Sequence, residues 1–275
     1  MPELPEVETV RRGLVPWISG QRIQKVELLL PRLLKYPSPA AFKPALVNRT
    51  ILDLSRKGKY LIFKLETQRE LIIHLGMSGR LIPGERKESL PPHTHFILRL
   101  EGPQDLLFID PRTFGRIALV DKDDYSPVPG LNQLGLDPTH PDEYQWPKVQ
   151  KVLEGNRPVK SFLLDQSALA GIGNIYADES LFRAGIHPLR KVAELSLQEK
   201  KRLFKTIKEV LEEAIQSGGT TILTFMDSRN NYGHYQNLLQ VYGRDLQPCY
   251  QCKTRIEKIK IGGRSSHFCP RCQKL

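Results

Sequence analysis

No apolar run in this 275-residue chain approaches the ~18 residues that a membrane span needs. The first residues carry Glu3, Glu6 and Glu8 and lack the apolar stretch of a secretory leader. The two absences together lead us to expect a cytoplasmic protein with no membrane partner. Cysteine is missing from the first 248 residues, and with no secretory feature a disulfide framework has no compartment to form in. Internal repeats and low-complexity tracts are absent as well. Aromatic residues make up an ordinary 8%, so composition alone does not signal base stacking. What remains is a soluble globular composition, 40% hydrophobic and 26% charged, long enough for a sizeable core and two domains.

The charge is one-sided. A formal +11 can be a solvated basic surface, or it can be the footprint of a polyanion partner. The four cysteines bear on that choice. Cys249-x-x-Cys252 and Cys269-x-x-Cys272 are separated by sixteen residues, the spacing of a zinc ribbon in which each pair puts two thiolates on one turn. No cysteine is left over for a catalytic ion of the same sort, so a single structural Zn(2+) is expected. The ribbon is basic too: Lys253, Arg255, Lys258, Lys260, Arg264, Arg271 and Lys274 stand against the acid Glu257. Gly262-Gly263 at a hairpin tip would push Arg264 outward, as a phosphate or groove probe needs. A small stapled module with charges for solubility is the plainer reading.

The hydrophobic period changes along the chain. Residues 6–14 read as a helix, with Val7, Val10 and Leu14 on one face and Glu8 and Arg12 paired four apart. From 22 to 121, seven short runs rich in Ile, Leu, Val and Phe suggest a β-sandwich, with loops expected at the proline-rich 37–44 and 83–92. Prolines 127, 129, 138, 141 and 147 mark a linker, with a short helix near 131–134. Ser196 with Glu199 forms a capping box that opens a long helix. Its stripe of Leu203, Ile207, Val210, Leu211, Ala214 and Ile215 is core, and Gly218-Gly219 end it.

The first six residues, Met-Pro-Glu-Leu-Pro-Glu, carry the most chemistry. With Met1 removed, Pro2 presents a secondary amine. Such an amine condenses with an aldehyde-like carbon to an iminium, a strong electron sink. An unperturbed α-amino group has a pKa of about 7.7–8.0, so part of it is nucleophilic near pH 7. Glu3 places a proton donor beside it. A Pro–Glu start also simply opens a helix, so the dipeptide needs context.

That context lies in Pro2–Thr9, Lys57-Gly58-Lys59-Tyr60, His74–Gly79, Asp110–Gly115, Gly171–Ala177, Gln240–Arg244 and the four cysteines. In this order, and from end to end of the chain, they resemble the bacterial formamidopyrimidine-DNA glycosylases. The Glu-Leu-Pro start resembles the purine-lesion branch of that superfamily. The resemblance implies a multidomain α+β protein. Residues 1–125 would be a catalytic β-sandwich with an N-terminal helix and 126–147 a linker. Residues 148–238 would be a helix–two-turns–helix domain with a lesion-recognition loop, and 239–275 the zinc finger.

The resemblance also implies roles. Pro2 would attack C1′ of the damaged nucleoside, and Glu3 would protonate the sugar. Glu6 would organise the site, and Lys59 would contact phosphate near the lesion. Met77, Arg112 and Phe114 would fill the space of the flipped base, with Arg112 facing the orphaned cytosine. Asn174 and Arg264 would hold the flanking phosphates, with His93, Lys160 and Tyr242 as further DNA contacts. The implied partner is double-stranded DNA carrying oxidised purines or abasic sites, and the implied state a monomer. The segment 220–235 diverges from the family, which leaves lesion preference less fixed than the chemistry. Two rivals stand beside this reading: a zinc-ribbon nucleic-acid binder with an idle Pro2, and a sister enzyme acting on oxidised pyrimidines.

Overall fold

The computed structural model of the protein describes residues 2–86, 89–222 and 225–275. Met1, whose removal the expected chemistry would need, lies outside them, as do positions 223 and 224 of the expected recognition loop. Among the described residues, no helix is long and apolar enough to cross a membrane. The chain forms two compact units, residues 1–133 with 218–234, and residues 134–217 with 235–275.

The first unit opens with α1 (Leu4–Ile18), which starts earlier and ends later than the sequence pattern suggests. Pro5 suits its first turn, where its missing N–H would have no intrahelical partner in any case. Val7, Val10, Leu14 and Ile18 point into the core with Phe63, Phe96 and Phe108. The strands follow: β1 (Ile23–Leu28), β2 (Leu34–Tyr36), then helix α2 (Pro39–Leu46), β3 (Ile51–Lys57), β4 (Tyr60–Leu65), β5 (Arg69–His74), β6 (Arg80–Glu85), β7 (Thr94–Leu100), β8 (Gln104–Ile109) and β9 (Arg116–Asp121). They pair into a sheet of order β2-β9-β5-β4-β3 and a sheet of order β1-β7-β8-β6, the two layers of the sandwich.

Two stretches expected as loops contain ordered elements, 39–46 and 83–85, while residues 86 and 89–93 lie outside any strand or helix as expected. Helix α2 occupies 39–46 because Pro39 sits in its first turn and Phe42 and Leu46 are buried. Strand β6 runs through Pro83, opposite Leu106, and β6 is the edge of its sheet, where a missing N–H leaves no central ladder broken.

The linker region holds a short helix, α3 (Pro129–Asn132), followed by α4 (Trp146–Val152). In the second unit, α5 (Val159–Leu164), α6 (Asn174–Ala184) and α7 (Leu197–Gln216) surround a separate core. Ser196 Oγ accepts the Glu199 N–H at 3.2 Å, and Glu199 Oε2 accepts the Ser196 N–H at 2.8 Å, so the capping box is formed on both sides. All six residues of the apolar stripe are buried. The hairpin β10 (Glu257–Ile261) and β11 (Arg264–Phe268) completes the unit. Residues 218–234, which follow α7 and are grouped by sequence with the helical domain, pack within the first compact unit.

Candidate active site and nucleic-acid interface

The start of α1 fixes the surroundings of Pro2 and Glu3, the residues expected to carry the chemistry. Pro2 is buried, and Glu3, the residue before the helix, is 3% exposed. Glu3 and Glu6 occupy the two positions of a capping box, and Glu6 Oε2 accepts the Glu3 N–H at 2.7 Å. Both carboxyl groups thus sit at the positive end of the helix dipole, where negative charge is favoured. Glu6 Oε1 accepts the Thr220 N–H at 2.7 Å, so one carboxylate ties α1 to the start of the 218–234 segment. Gly219 adopts φ +82°, and a Cβ there would stand 2.9 Å from Glu6 Oε1. Only glycine allows that approach without displacing the carboxylate.

Lys59 is mostly buried on the two-residue turn between β3 and β4, after Gly58 at φ +54°. The ring of His74 at the end of β5 lies 4.7 Å from that of Tyr60. The Gly76 N–H donates to His74 Nδ1 at 3.1 Å. Burial, then the charges of Lys59 and Arg116, lower the His74 pKa to about 4, so the ring is neutral near pH 7.

Two loops bring together the residues expected to fill the vacated base position. Asp110 is fully buried between them. Its Oδ1 accepts from Ser78 Oγ at 2.6 Å and from Arg112 N at 3.3 Å, and its Oδ2 accepts from Gly115 N at 2.8 Å. One side chain therefore holds the 74–79 and 110–115 loops side by side. Met77 and Phe114 remain 39% and 53% exposed, and the Arg112 guanidinium lies 5.5 Å from the Phe114 ring centre. Large apolar groups this exposed are not packed into the core of the sandwich. Asp110 was missed as a functional position, although Asp followed by Pro is the ordinary opening of a turn. His93 is exposed at φ +64°, and its carbonyl accepts the Asp110 N–H at 3.0 Å.

In the second unit, Asn174 is the first residue of α6, after Gly173 at the cap position. Its Nδ2 donates to Ser265 O at 2.8 Å, which seats it next to the finger hairpin. Gly262 and Gly263, at φ +54° and +77°, make the hairpin turn and leave Arg264 exposed beside them. Asn174 thus lies against the residue that follows Arg264 in the hairpin. The Tyr242 ring stands 5.1 Å from that of His267 on the same hairpin. Its N–H, with those of Gln240 and Val241, donates to the buried Glu179 carboxylate.

Lys160 requires a correction. Expected among the DNA contacts, it is fully buried, with Nζ 2.5 Å from Asp178 Oδ1 and 3.1 Å from Asn174 O. A buried ammonium needs a counter-charge more than a phosphate can supply at a distance, and Asp178 is that charge. Asp178 Oδ2 also accepts from His267 N and Nδ1 at 3.0 and 3.1 Å. This carboxylate therefore joins α5, α6 and β11.

The four cysteine sulfurs all lie within 4.8 Å of one another. The Sγ separations are 3.9 Å for Cys249 and Cys272 and 3.4 Å for Cys252 and Cys269. A tetrahedral zinc with bonds of about 2.3 Å has edges of roughly 3.8 Å, so the cluster has the size of a metal site. Burial pushes the Cys269 and Cys272 thiols up, while hydrogen bonding from Thr254 lowers that of Cys252. Four convergent thiols fit a structural metal ion.

Comparison with known proteins agrees with this geometry. Residues 1–117 match the formamidopyrimidine-DNA glycosylase N-terminal domain, and 134–226 match the formamidopyrimidine-DNA glycosylase H2TH domain. Residues 247–275 match the zinc finger found in FPG and IleRS. The formamidopyrimidine-DNA glycosylase of Pelotomaculum thermopropionicum is 42% identical over 100% of both chains. Among solved structures, MutM (Fpg) of Thermus thermophilus is 40% identical, with TM-score 0.89 over 99% of this chain and 98% of that one. The Lactococcus lactis Fpg complexed with DNA containing an abasic site is 36% identical, with TM-score 0.91 over 99% and 100%. By sequence across its whole length and by fold, the chain belongs to the formamidopyrimidine-DNA glycosylase family, the DNA glycosylases of base excision repair.

Proposed function

We propose that the protein is a bifunctional glycosylase and AP lyase that removes oxidised purines, 8-oxoguanine and formamidopyrimidines, from duplex DNA. The observation that carries this reading is the buried Pro2-Glu3 pair at the start of α1, with Glu6 anchoring the Glu3 backbone. Once Met1 is removed, the Pro2 nitrogen lone pair attacks C1′. The C1′–base bond breaks and its electrons leave with the base. The Pro2 N–H proton is lost to the departing base, Glu3 delivers a proton to the ring oxygen, the C1′–O4′ bond breaks, and the C1′–Pro2 adduct becomes an iminium. The iminium acidifies the C2′ proton. Its loss expels the 3′ phosphate, and a second elimination expels the 5′ phosphate.

The other residues bind and hold. Lys59 engages a phosphate near the lesion, and Asn174 and Arg264 engage phosphates flanking it, with His93 and Tyr242 as further contacts. Met77, Arg112 and Phe114 enter the duplex once the damaged nucleotide is flipped, offsetting the lost stacking. Cys249, Cys252, Cys269 and Cys272 would hold one zinc ion, which stiffens the hairpin bearing Arg264 and takes no part in the reaction. The solved Lactococcus lactis relatives include one bound to Fapy-dG containing DNA, which supports the substrate class. We place the enzyme in the cytoplasm as a monomer.

Borohydride trapping tests the chemistry. Protein shown by mass spectrometry to begin at Pro2 is mixed with an abasic-site duplex and reductant, and a covalent protein–DNA adduct is expected. No adduct refutes the proposal. Excision of 8-oxoguanine compared with thymine glycol tests the substrate class, and faster release of the pyrimidine would overturn it.

A further inference from the structure

Glu8 sits on the α1 face turned toward the β3–β4 hairpin and is surrounded by three guanidinium groups. Arg11 binds both of its oxygens at 2.8 and 2.9 Å, Arg12 binds Oε1 at 2.8 Å, and Arg56 binds Oε2 at 3.1 Å. Two of these arginines continue to the hairpin. Arg11 Nη1 donates to Leu54 O at 3.3 Å, and Arg56 Nη1 donates to Gly58 O at 2.8 Å. Gly58 carries the positive φ of the turn, and Lys59 is the next residue. The Arg56 side chain is 7% exposed and that of Glu8 9%, so neither is a solvated surface charge.

Stability alone does not account for this arrangement. A buried ion pair contributes little net stability compared with packed apolar groups, because desolvation consumes most of the attraction. A rigid planar fork with two fixed donor directions does something an apolar contact cannot: it sets orientation. Here it sets the turn that bears Lys59 against the helix that bears Glu3.

We infer that Glu8 and Arg56 are positioning residues, which hold the Lys59 turn in register with the N-terminal helix so that the phosphate grip and the nucleophile meet the same nucleotide. The inference rests on the functional reading above, since it needs Pro2 as nucleophile and Lys59 as phosphate contact. Neither Glu8 nor Arg56 touches substrate in this account. Lysine at 56 keeps the charge but offers no fork to reach Glu8 and Gly58 O together. Glutamine at 8 keeps the shape but removes the charge that gathers the arginines.

The experiment uses full-length protein with abasic-site duplex. It measures the single-turnover borohydride trapping rate at saturating DNA, the Kd without reductant, and thermal melting. Rates are read at low temperature, where each variant is folded by near-ultraviolet circular dichroism. R56K and E8Q are expected to trap at least about tenfold more slowly, because misplacement of the order of an ångström has that scale of effect, with Kd little changed. R12M is the control, since Arg12 is 59% exposed and binds Glu8 from the solvent side. It should trap at the wild-type rate. A merely structural role would lower melting but leave the low-temperature rate intact. A wild-type rate in folded R56K or E8Q overturns the inference, as does equal slowing by R12M or failure of both variants to fold. Absence of an adduct from the wild type itself identifies failure of the functional reading.

Discussion

Replacing Lys160 with methionine separates two roles that the sequence alone could not tell apart. Methionine is close in length and fills the same space without the ammonium. Lys160 and Asp178 are both 0% exposed and meet at 2.5 Å. Removing the cation leaves Asp178 buried with only the His267 donors on its other oxygen. Breaking one side of a buried pair costs about 3–5 kcal/mol. For a unit of this size that is a fall in melting temperature on the order of 10 °C, readable by calorimetry. Adding D178N to K160M removes the orphaned charge and should recover much of the loss, the signature of coupled partners. DNA affinity across a salt series gives the complementary readout. One lost phosphate contact lowers the slope of log K against log salt by about 0.9. The buried pair predicts an unchanged slope with lowered melting. An unchanged melting temperature with a slope reduced by about one contact would refute the argument and return Lys160 to the DNA surface.

Three further outcomes are expected. Burial alone would raise the Glu8 pKa, but hydrogen bonds from Arg11 and Arg12 and the charge of Arg56 overcome it and hold it at about 2, against an ordinary 4.5. The folded value is depressed, so this stabilisation is complete above about pH 4.5 and fades as pH falls toward 2, with an upper bound of about 3 kcal/mol. Urea titrations from neutral to acid pH should show the gap between wild type and E8Q closing over that window, and a gap independent of pH would refute the assignment. Chelation of the finger metal should release the Arg264 hairpin and weaken DNA binding, with about one zinc per chain by elemental analysis of the purified protein; unchanged affinity of a zinc-free sample would contradict this. G219A adds a Cβ 2.9 Å from Glu6 Oε1 at a positive φ, and should destabilise by more than about 1 kcal/mol while slowing adduct formation; a fully active, equally stable variant would show that the 218–234 segment does not depend on that approach.

Local signals carried much of this protein. Two C-x-x-C pairs specify a metal cluster because each ligand pair is set by one turn, and the observed hairpin needed only Gly262-Gly263. The capping box at Ser196 and the stripe behind it specify α7, since both depend on residues within a few turns of each other. The carboxylates at the start of α1 were legible for the same reason. Element ends and two proline-rich stretches were not. Whether Pro39 opens a helix or Pro83 lies on a sheet edge depends on neighbours far along the chain.

The charged hubs belong to tertiary structure alone. Asp110 joins loops more than thirty residues apart, Asp178 joins a buried lysine to the finger, and Glu6 reaches across the chain to Thr220. The sequence determined which chemical groups this protein owns and the local turns and helix starts that present them. The tertiary structure decided which charges are buried, because burial turns on what packs over a side chain, and for that reason Lys160 is buried against Asp178 while Arg264 remains exposed.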